Sequence, residues 1–183
     1  MSVDPAGLAA QISKSGLPPV HRWNPELCGD IDIRIARDGI WFYMGSPIGR
    51  KRLVRLFSTV LRKDSDGEHY LVTPVEKLRI EVEDAPFVIV ELQEKGAGER
   101  QELFFRTKTD DAVRADANHP ITVEQLEDGQ PSPYIEVRNG LMGLIARNVY
   151  YQLVELGVER IVGDESVLGV WSGGEFFELG KLV

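Results

Sequence analysis

Two stretches of this chain read alike, and together they restrict the fold more than any other feature. "IRIARDGIW" (33–41) and "YIEVRNGLM" (134–142) both run alternating strand, arginine, Asx-Gly, strand. Asx-Gly between alternating apolar residues is the signal of a tight hairpin with a type I′ turn, because both central residues then need positive φ. Arg37 is thereby matched with Arg138 and Gly39 with Gly140. Each hairpin leads into a helix that opens with Ile, a small residue and Arg: Ile48-Gly49-Arg50 and Ile145-Ala146-Arg147. The register continues with Leu53 against Tyr150 and Leu56 against Leu153, and "GEHYLV" (67–72) echoes "GEFFEL" (174–179). Asx-Gly hairpins are common and short echoes arise by chance. The ordered series still favours a duplication, and two related halves would meet at an interface, where ligand sites tend to form.

The rest of the pattern is α+β with many antiparallel strands and few helices. Asp4-Pro5 is an N-cap followed by a first-turn proline, so a short helix is expected over 5–15 with Leu8 and Ile12 inward. "LPPVHRWNPELCG" is a proline-rich loop packed by Trp23, and "DIDIRIA" puts Ile31, Ile33 and Ile35 on one face of a strand. Helices are expected at 49–62, with Leu53, Leu56, Phe57 and Val60 inward, and at 145–156, with Ile145, Val149, Leu153 and Leu156 inward. "HYLV", "KLRIEVE", "PFVIVEL", "ELFFRT", 121–126, 134–138, "VLGVW" and "EFFELG" read as strands. The expected division is 1–76, the N-terminal helix and first repeat, and 77–183, a mainly antiparallel β part with the second repeat.

With 183 residues, 43% of them hydrophobic and 27% charged, the chain can bury a real core. Cys28 is the only cysteine, which excludes a disulfide framework and a cysteine-based zinc site. Neither a signal-peptide pattern nor a membrane-length apolar run is present, so a cytoplasmic protein of bacterial type is expected. The net charge of −8 argues against binding a nucleic-acid polymer or an anionic membrane. The positive charge is local. Residues 49–63 hold six basic side chains and no acidic one, leaving 15 basic against 29 acidic elsewhere.

Arg50, Lys51 and Arg52 fall at the start of the first expected helix, where the dipole favours Asp or Glu. A small bound anion would account for them, and Arg147 at the equivalent helix start could converge on it, arginine being suited to bidentate phosphate contacts. For Arg52, Arg55, Arg62 and Lys63 a solvated face is the better reading. No phosphate loop is present, since "GSPIGRKR" fails on spacing and lacks the hydroxyl. Ser46 and Ser172 lack the glycine two positions before that a nucleophile elbow requires. His21, His69 and His119 are far apart in sequence, so no metal site is expected. Thr73 and Glu76 have capping-box spacing with Pro74 at the first helical position, and Glu76 could also salt-bridge a site arginine. Glu81, Glu83 and Asp84 read as solvated carboxylates and a turn. His119 suits a structural hydrogen bond more than a ligand contact. Trp41 and Tyr43 face one side of their strand and Phe42 the other; an aromatic beside an arginine could stack a base ring.

Taken together, "DGIWFYMGSPIGRKRLVRLFSTVLRKD", "YLVTPVEK", "VEDAPFVIVE", "FRTKTDD", "HPI" and "PYIEVRNGLMGLIARNVYYQLV" resemble the bacterial family catalogued as domain of unknown function 1285. The resemblance runs from Trp23 to Phe177 in the same order. It implies a two-part α/β core with a duplicated motif and a C-terminal half superficially like a pleckstrin-homology fold. It also implies a suspected nucleotide-like ligand site between the halves and a role in signalling. The family's defining blocks fall here on Trp41, Arg50, Thr73, Pro74, Glu76, Asp84, Pro86, Phe87, Arg106, His119, Arg138 and Arg147.

The expected protein is therefore a module that binds a small anionic, nucleotide-like ligand. Its candidate ligand residues are Arg50, Arg147, Arg138, Thr73, Glu76, Arg106, His119 and Trp41. No cofactor, metal or catalytic residue is expected. An enzyme acting on a phosphorylated small molecule through Glu76, Asp84 or His119 stands second. A scaffold docking its basic helix on an acidic protein stands third. The sequence leaves the oligomeric state open.

Overall fold

The computed structural model describes Ala6, Ala9 and residues 16–183. The expected helix over 5–15, with its Asp4 cap and its Leu8 and Ile12 face, lies outside the described residues apart from those two alanines, which are helical. The chain divides into two compact units, Met1–Pro86 and Phe87–Val183. The division falls at Pro86 rather than after Glu76 because the strand that follows Glu76 is hydrogen-bonded into the first unit's sheet.

The first unit holds β1 (Leu27–Ile35), β2 (Trp41–Tyr43), β3 (Ser46–Pro47), helix α1 (Lys51–Ser58), β4 (Leu61–Lys63), β5 (His69–Val72) and β6 (Lys77–Val82). Its sheet runs β3-β2-β1-β6-β5-β4. That order is two three-stranded antiparallel meanders joined by one parallel pair, β1 with β6. Alternation dictates the buried face: Ile31, Ile33 and Ile35 of β1 and Leu78 and Ile80 of β6 are all buried. Phe57 of α1 lies against this core with its ring stacked 6.4 Å from that of Trp41. Helix α1 is shorter than the 49–62 expected. It ends at Ser58, whose hydroxyl donates to the Arg55 carbonyl, as the Thr59 hydroxyl does to that of Leu56. Val60, expected on the helix, is buried in the turn into β4, so Arg62 and Lys63 sit on a strand.

The second unit holds β7 (Phe87–Lys95), β8 (Glu102–Thr107), β9 (Ala112–Arg114), β10 (Ile121–Gln125), β11 (Pro131–Arg138), β12 (Leu141–Ile145), helix α2 (Arg147–Glu155), β13 (Val158–Val162), β14 (Glu165–Ser172) and β15 (Glu175–Lys181). Strands β7 to β12 form a sheet in the order β10-β11-β12-β7-β8-β9, and β13-β14-β15 form a second, three-stranded sheet. The six-stranded sheet is again two antiparallel meanders joined by a parallel pair between its first and last strands, β7 and β12. The two large sheets thus share one topology, and a two-part duplicated α+β architecture fits the chain.

The local echoes run in a different register from that sheet-level repeat. Among the described residues a hairpin followed by a helix occurs once in each unit, but in the first unit the hairpin opens the sheet and in the second it closes it. The third echo does not hold position. "GEHYLV" forms β5, the second strand after its helix, whereas "GEFFEL" forms β15, the third. The turns differ as well. Asn139 and Gly140 have φ of 49° and 77°, the expected two-residue type I′ turn. Asp38 is not left-handed: Gly39 N–H bonds the Ala36 carbonyl and Ala36 N–H the Ile40 carbonyl, giving a three-residue loop with Gly39 at φ 84°. Among the described residues, no helix is long and apolar enough to cross a membrane.

Candidate functional site

Helix α1 begins without an acceptor for its own amides. Arg50 is its N-cap, in extended conformation, with no side-chain capping bond, and the first turn holds no acidic residue. The N–H groups of Leu53 and Val54 both reach the Arg50 carbonyl, at 3.0 and 3.2 Å. The amides of Lys51 and Arg52, two residues earlier in the same turn, have no helical partner by geometry. The side chains of Arg50, Lys51 and Arg52 are exposed, and none makes an ion pair or hydrogen bond among the described residues.

Most other arginines are held. Arg37 Nη1 lies 2.6 Å from Asp84, and Arg34 pairs with Glu83 while its guanidinium covers the Phe42 ring at 4.3 Å. Glu83 also accepts the Arg37 N–H at 2.9 Å, so two of the carboxylates in "VEDAP" form ion pairs rather than solvated ones. Arg62 is gripped on three sides: Asp64 at 2.6 Å and the carbonyls of Val20 and Trp23 at 2.9 and 2.6 Å. Lys77 reaches the same Asp64 at 2.5 Å. Burial pushes the Asp64 carboxyl up, but the hydrogen bonds from Arg62 and Lys77 hold it below its ordinary value.

Thr73 and Glu76 do not cap a helix. They close the turn between β5 and β6, where Thr73 Oγ1 accepts the N–H groups of Val75 at 3.4 Å and Glu76 at 3.1 Å, and Thr73 N–H donates to the Glu76 carbonyl at 2.8 Å. The capping-type bond forms, but the chain turns back into β6 instead of coiling. Trp41 is 2% exposed and belongs to the core, so its ring offers no surface to a ligand.

In the second unit Arg138 Nη1 donates to Asp111 at 2.6 Å, and its guanidinium lies 4.9 Å from the centre of the Phe87 ring. The hydroxyls of Thr107 and Thr109 donate to the other Asp111 oxygen at 3.0 and 2.8 Å, which completes a closed polar cluster. The block "FRTKTDD" contained that cluster, but a partner 27 residues away from Arg138 has no local signature. Arg106 is exposed between Glu91 at 2.7 Å and Asp110 at 3.0 Å. His119 is half-buried, with Nδ1 3.0 Å from the Glu136 carbonyl and its N–H on Asp116, the structural hydrogen bonding expected for it. Arg147 is exposed in the first turn of α2 and donates to the Gln130 side chain at 3.0 Å. It stands at the first helical position, whereas Arg50 is an N-cap, so the two helix starts differ by one residue. The structure therefore groups Arg50 with Lys51 and Arg52, and separately Arg138 with Asp111. No group of acidic, His or Cys residues suited to a metal ion occurs among the described residues.

Family models decide the relationship. The N-terminal domain of DUF1285, a domain of unknown function, matches residues 18–85, and the C-terminal domain of DUF1285, a protein of unknown function, matches residues 86–179. The chain belongs to the DUF1285 family. The meeting point of the two models lies one residue from the division between the units. The crystal structure of a DUF1285 family protein from Silicibacter pomeroyi DSS-3 superposes with a TM-score of 0.92 at 45% identity, covering 100% of this chain and 97% of that one. A second DUF1285 family structure, from Shewanella baltica OS155, is similar with a TM-score of 0.54 at 29% identity, covering 69% of this chain and 92% of that one. Among curated proteins none matches.

Proposed function

We propose that this DUF1285 protein is a cytoplasmic module that binds a small anionic ligand, phosphorylated or nucleotide-like, at the first turn of α1. One observation carries the reading: three cations without a partner among the described residues stand at a helix start that has no capping side chain and no acidic residue. Each cation there opposes the helix dipole by about 0.3–1 kcal/mol, a cost that an anion between them reverses. The uncapped amides add donors of the kind phosphates favour at helix starts. Arg138 and Arg147, the expected partners of Arg50, already hold Asp111 and Gln130. Arg50, Lys51 and Arg52 therefore carry the proposal. A signalling role and a pleckstrin-homology-like C-terminal half, both implied by the family resemblance, belong to the same reading of a binding module rather than a catalyst.

The test is thermal stabilisation and calorimetric titration of the purified protein with inorganic phosphate, nucleotides and sugar phosphates. A ligand at a hundredfold its dissociation constant adds about 2.7 kcal/mol of stability, readily seen as a raised melting temperature. Arg50→Ala should weaken that binding by about 1.5–3 kcal/mol, as for a charged hydrogen bond, and leave the unliganded melting temperature unchanged. Failure of every anion to stabilise the protein, or equal binding by a variant with Arg50, Lys51 and Arg52 all replaced by Ala, would refute it.

A further inference from the structure

Sheet edges offer unpaired backbone groups to any other strand, and folded proteins normally guard them with short strands, proline, charge or a covering segment. Among the described residues this chain guards all but one. In the first unit β3 is two residues long and contains Pro47, while β4 is three residues long and has the Val20–Arg22 turn against it, held through Arg62. In the second unit β9 is three residues long, and β10 lies beside β15.

That leaves β13, Val158–Val162, as the outer strand of the three-stranded sheet, with all five residues exposed. Ile161 is 74% exposed, the highest of the large apolar residues inside any strand. Its two charged residues do not guard the edge, because both are drawn onto their own sheet. Glu159 accepts the Ser166 hydroxyl, and the Arg160 guanidinium lies 5.2 Å from the centres of both the Trp171 and Phe176 rings.

The direction of the free backbone groups follows from the turn. Gly163 and Asp164 form a two-residue loop, with Gly163 at φ 64°, and the flanking residues Val162 and Glu165 are paired. In such a hairpin the flanking pair is hydrogen-bonded and the pattern alternates. Val158, Arg160 and Val162 therefore bond β14, while the N–H and C=O groups of Glu159 and Ile161 point outward.

We propose that β13 is a self-association surface on which a second copy of this chain pairs antiparallel, about a twofold axis through Ile161. A twofold at Arg160 or at Glu159 would set like charges directly opposite each other, which destabilises a strand pair. A twofold at Ile161 instead sets Ile161 against its mate, both with outward backbone groups, and Arg160 against Val162 of the second copy. Closed twofold dimers are the commonest assembly open to a surface that complements itself. The pairing strand carries one Glu and one Arg, so it is locally neutral in a chain whose net charge of −8 otherwise disfavours self-contact.

Sedimentation velocity of the full chain over a wide concentration range tests this, with amide hydrogen exchange at the dilute and concentrated ends. The expected result is a monomer–dimer equilibrium in which the Glu159 and Ile161 amides gain protection as concentration rises. Ile161→Lys places a charge at the twofold, and Ile161→Pro removes an N–H that β14 does not use. Either should raise the dimer dissociation constant about tenfold or more while leaving the circular dichroism spectrum unchanged. A chain that stays monomeric at every concentration overturns the proposal. So does a dimer that persists in both variants, or one whose formation leaves the exchange of Glu159 and Ile161 unaltered.

Discussion

Replacing Arg62 by Ala should destabilise the first unit. The guanidinium makes four hydrogen bonds: Nε and Nη2 to the two oxygens of Asp64 at 2.6 and 3.2 Å, and Nη1 to the carbonyls of Val20 and Trp23 at 2.9 and 2.6 Å. Its side chain is 14% exposed and that of Asp64 19%, so solvent screening discounts the interaction little. A charged hydrogen bond is worth about 1.5–3 kcal/mol, but these four are not additive. Asp64 keeps Lys77 at 2.5 Å, so its carboxylate is not stranded. The loss should come to about 2–3 kcal/mol, below the full cost of breaking a buried pair. For a unit of this size each kcal/mol lowers the melting temperature by about 4–8 °C, so a fall of roughly 10–20 °C is expected. Near-ultraviolet circular dichroism during thermal unfolding reads it, and faster amide exchange at Trp23 localises it. Lysine at this position restores charge but cannot bridge Asp64 and both carbonyls, so it should recover only part of the loss. A melting temperature for Arg62→Ala within about 2 °C of the parent would show the fork contributes nothing, and the reasoning would fail.

Three further outcomes follow from single groups. Asp64 has a folded pKa below its ordinary 3.8, so the stability it lends is complete above that value and is lost as pH falls through the lower folded one; Asp64→Asn should flatten the acid limb of a stability–pH curve, and an unchanged limb would contradict this. Burial, with the Lys63 charge second, lowers the His69 pKa below 6.5, so its contribution is complete above 6.5 and fades as pH drops through the folded value; an imidazole titration by NMR with a midpoint at or above 6.5 would be inconsistent. Gly169→Ala would bring a Cβ within 2.4 Å of Phe176 Cζ and 2.5 Å of the Phe177 carbonyl, costing about 1–3 kcal/mol. Gly180→Ala, with open space at that position, serves as the control for thermal melting.

What the sequence made legible is what period and turn chemistry determine locally. The alternation of β1 and β6 and the type I′ turn at Asn139-Gly140 could all be read directly. The misreadings came where a local signal is shared by two structures. Thr73-Pro74-Val75-Glu76 carries the spacing of a helix cap, yet the same hydroxyl-to-amide bond closes the turn between β5 and β6. Which one forms depends on the next residues, and Lys77–Val82 alternate as a strand. At α1, Leu53 to Val60 keep a helical stripe through Val60, but Ser58 and Thr59 bond back to the helix carbonyls and the chain leaves as β4. Short strands such as β3, β4 and β9 have too few residues to show a period, and β13 is exposed on every residue, so it has no apolar face to reveal it.

Charge partners were legible only where they are local. Arg138 finds Asp111, Arg62 finds the carbonyls of Val20 and Trp23, and Arg34 finds Glu83, all through tertiary contacts that no spacing encodes. Counting cations therefore said nothing about which of them were engaged. Helix α1 is different, because ion pairs on an isolated helix face form three or four residues apart. No Asp or Glu lies between Asp38 and Asp64, so Arg50, Lys51 and Arg52 have no partner within reach along the helix. The fold could still have supplied one from a neighbouring strand, as it does for Arg62. At Arg50, Lys51 and Arg52 it supplies none among the described residues. Three consecutive cations at one helix start, none with a partner among the described residues, set this turn apart from the single Arg147 of α2, which holds Gln130, and are the reason to look there for the anion.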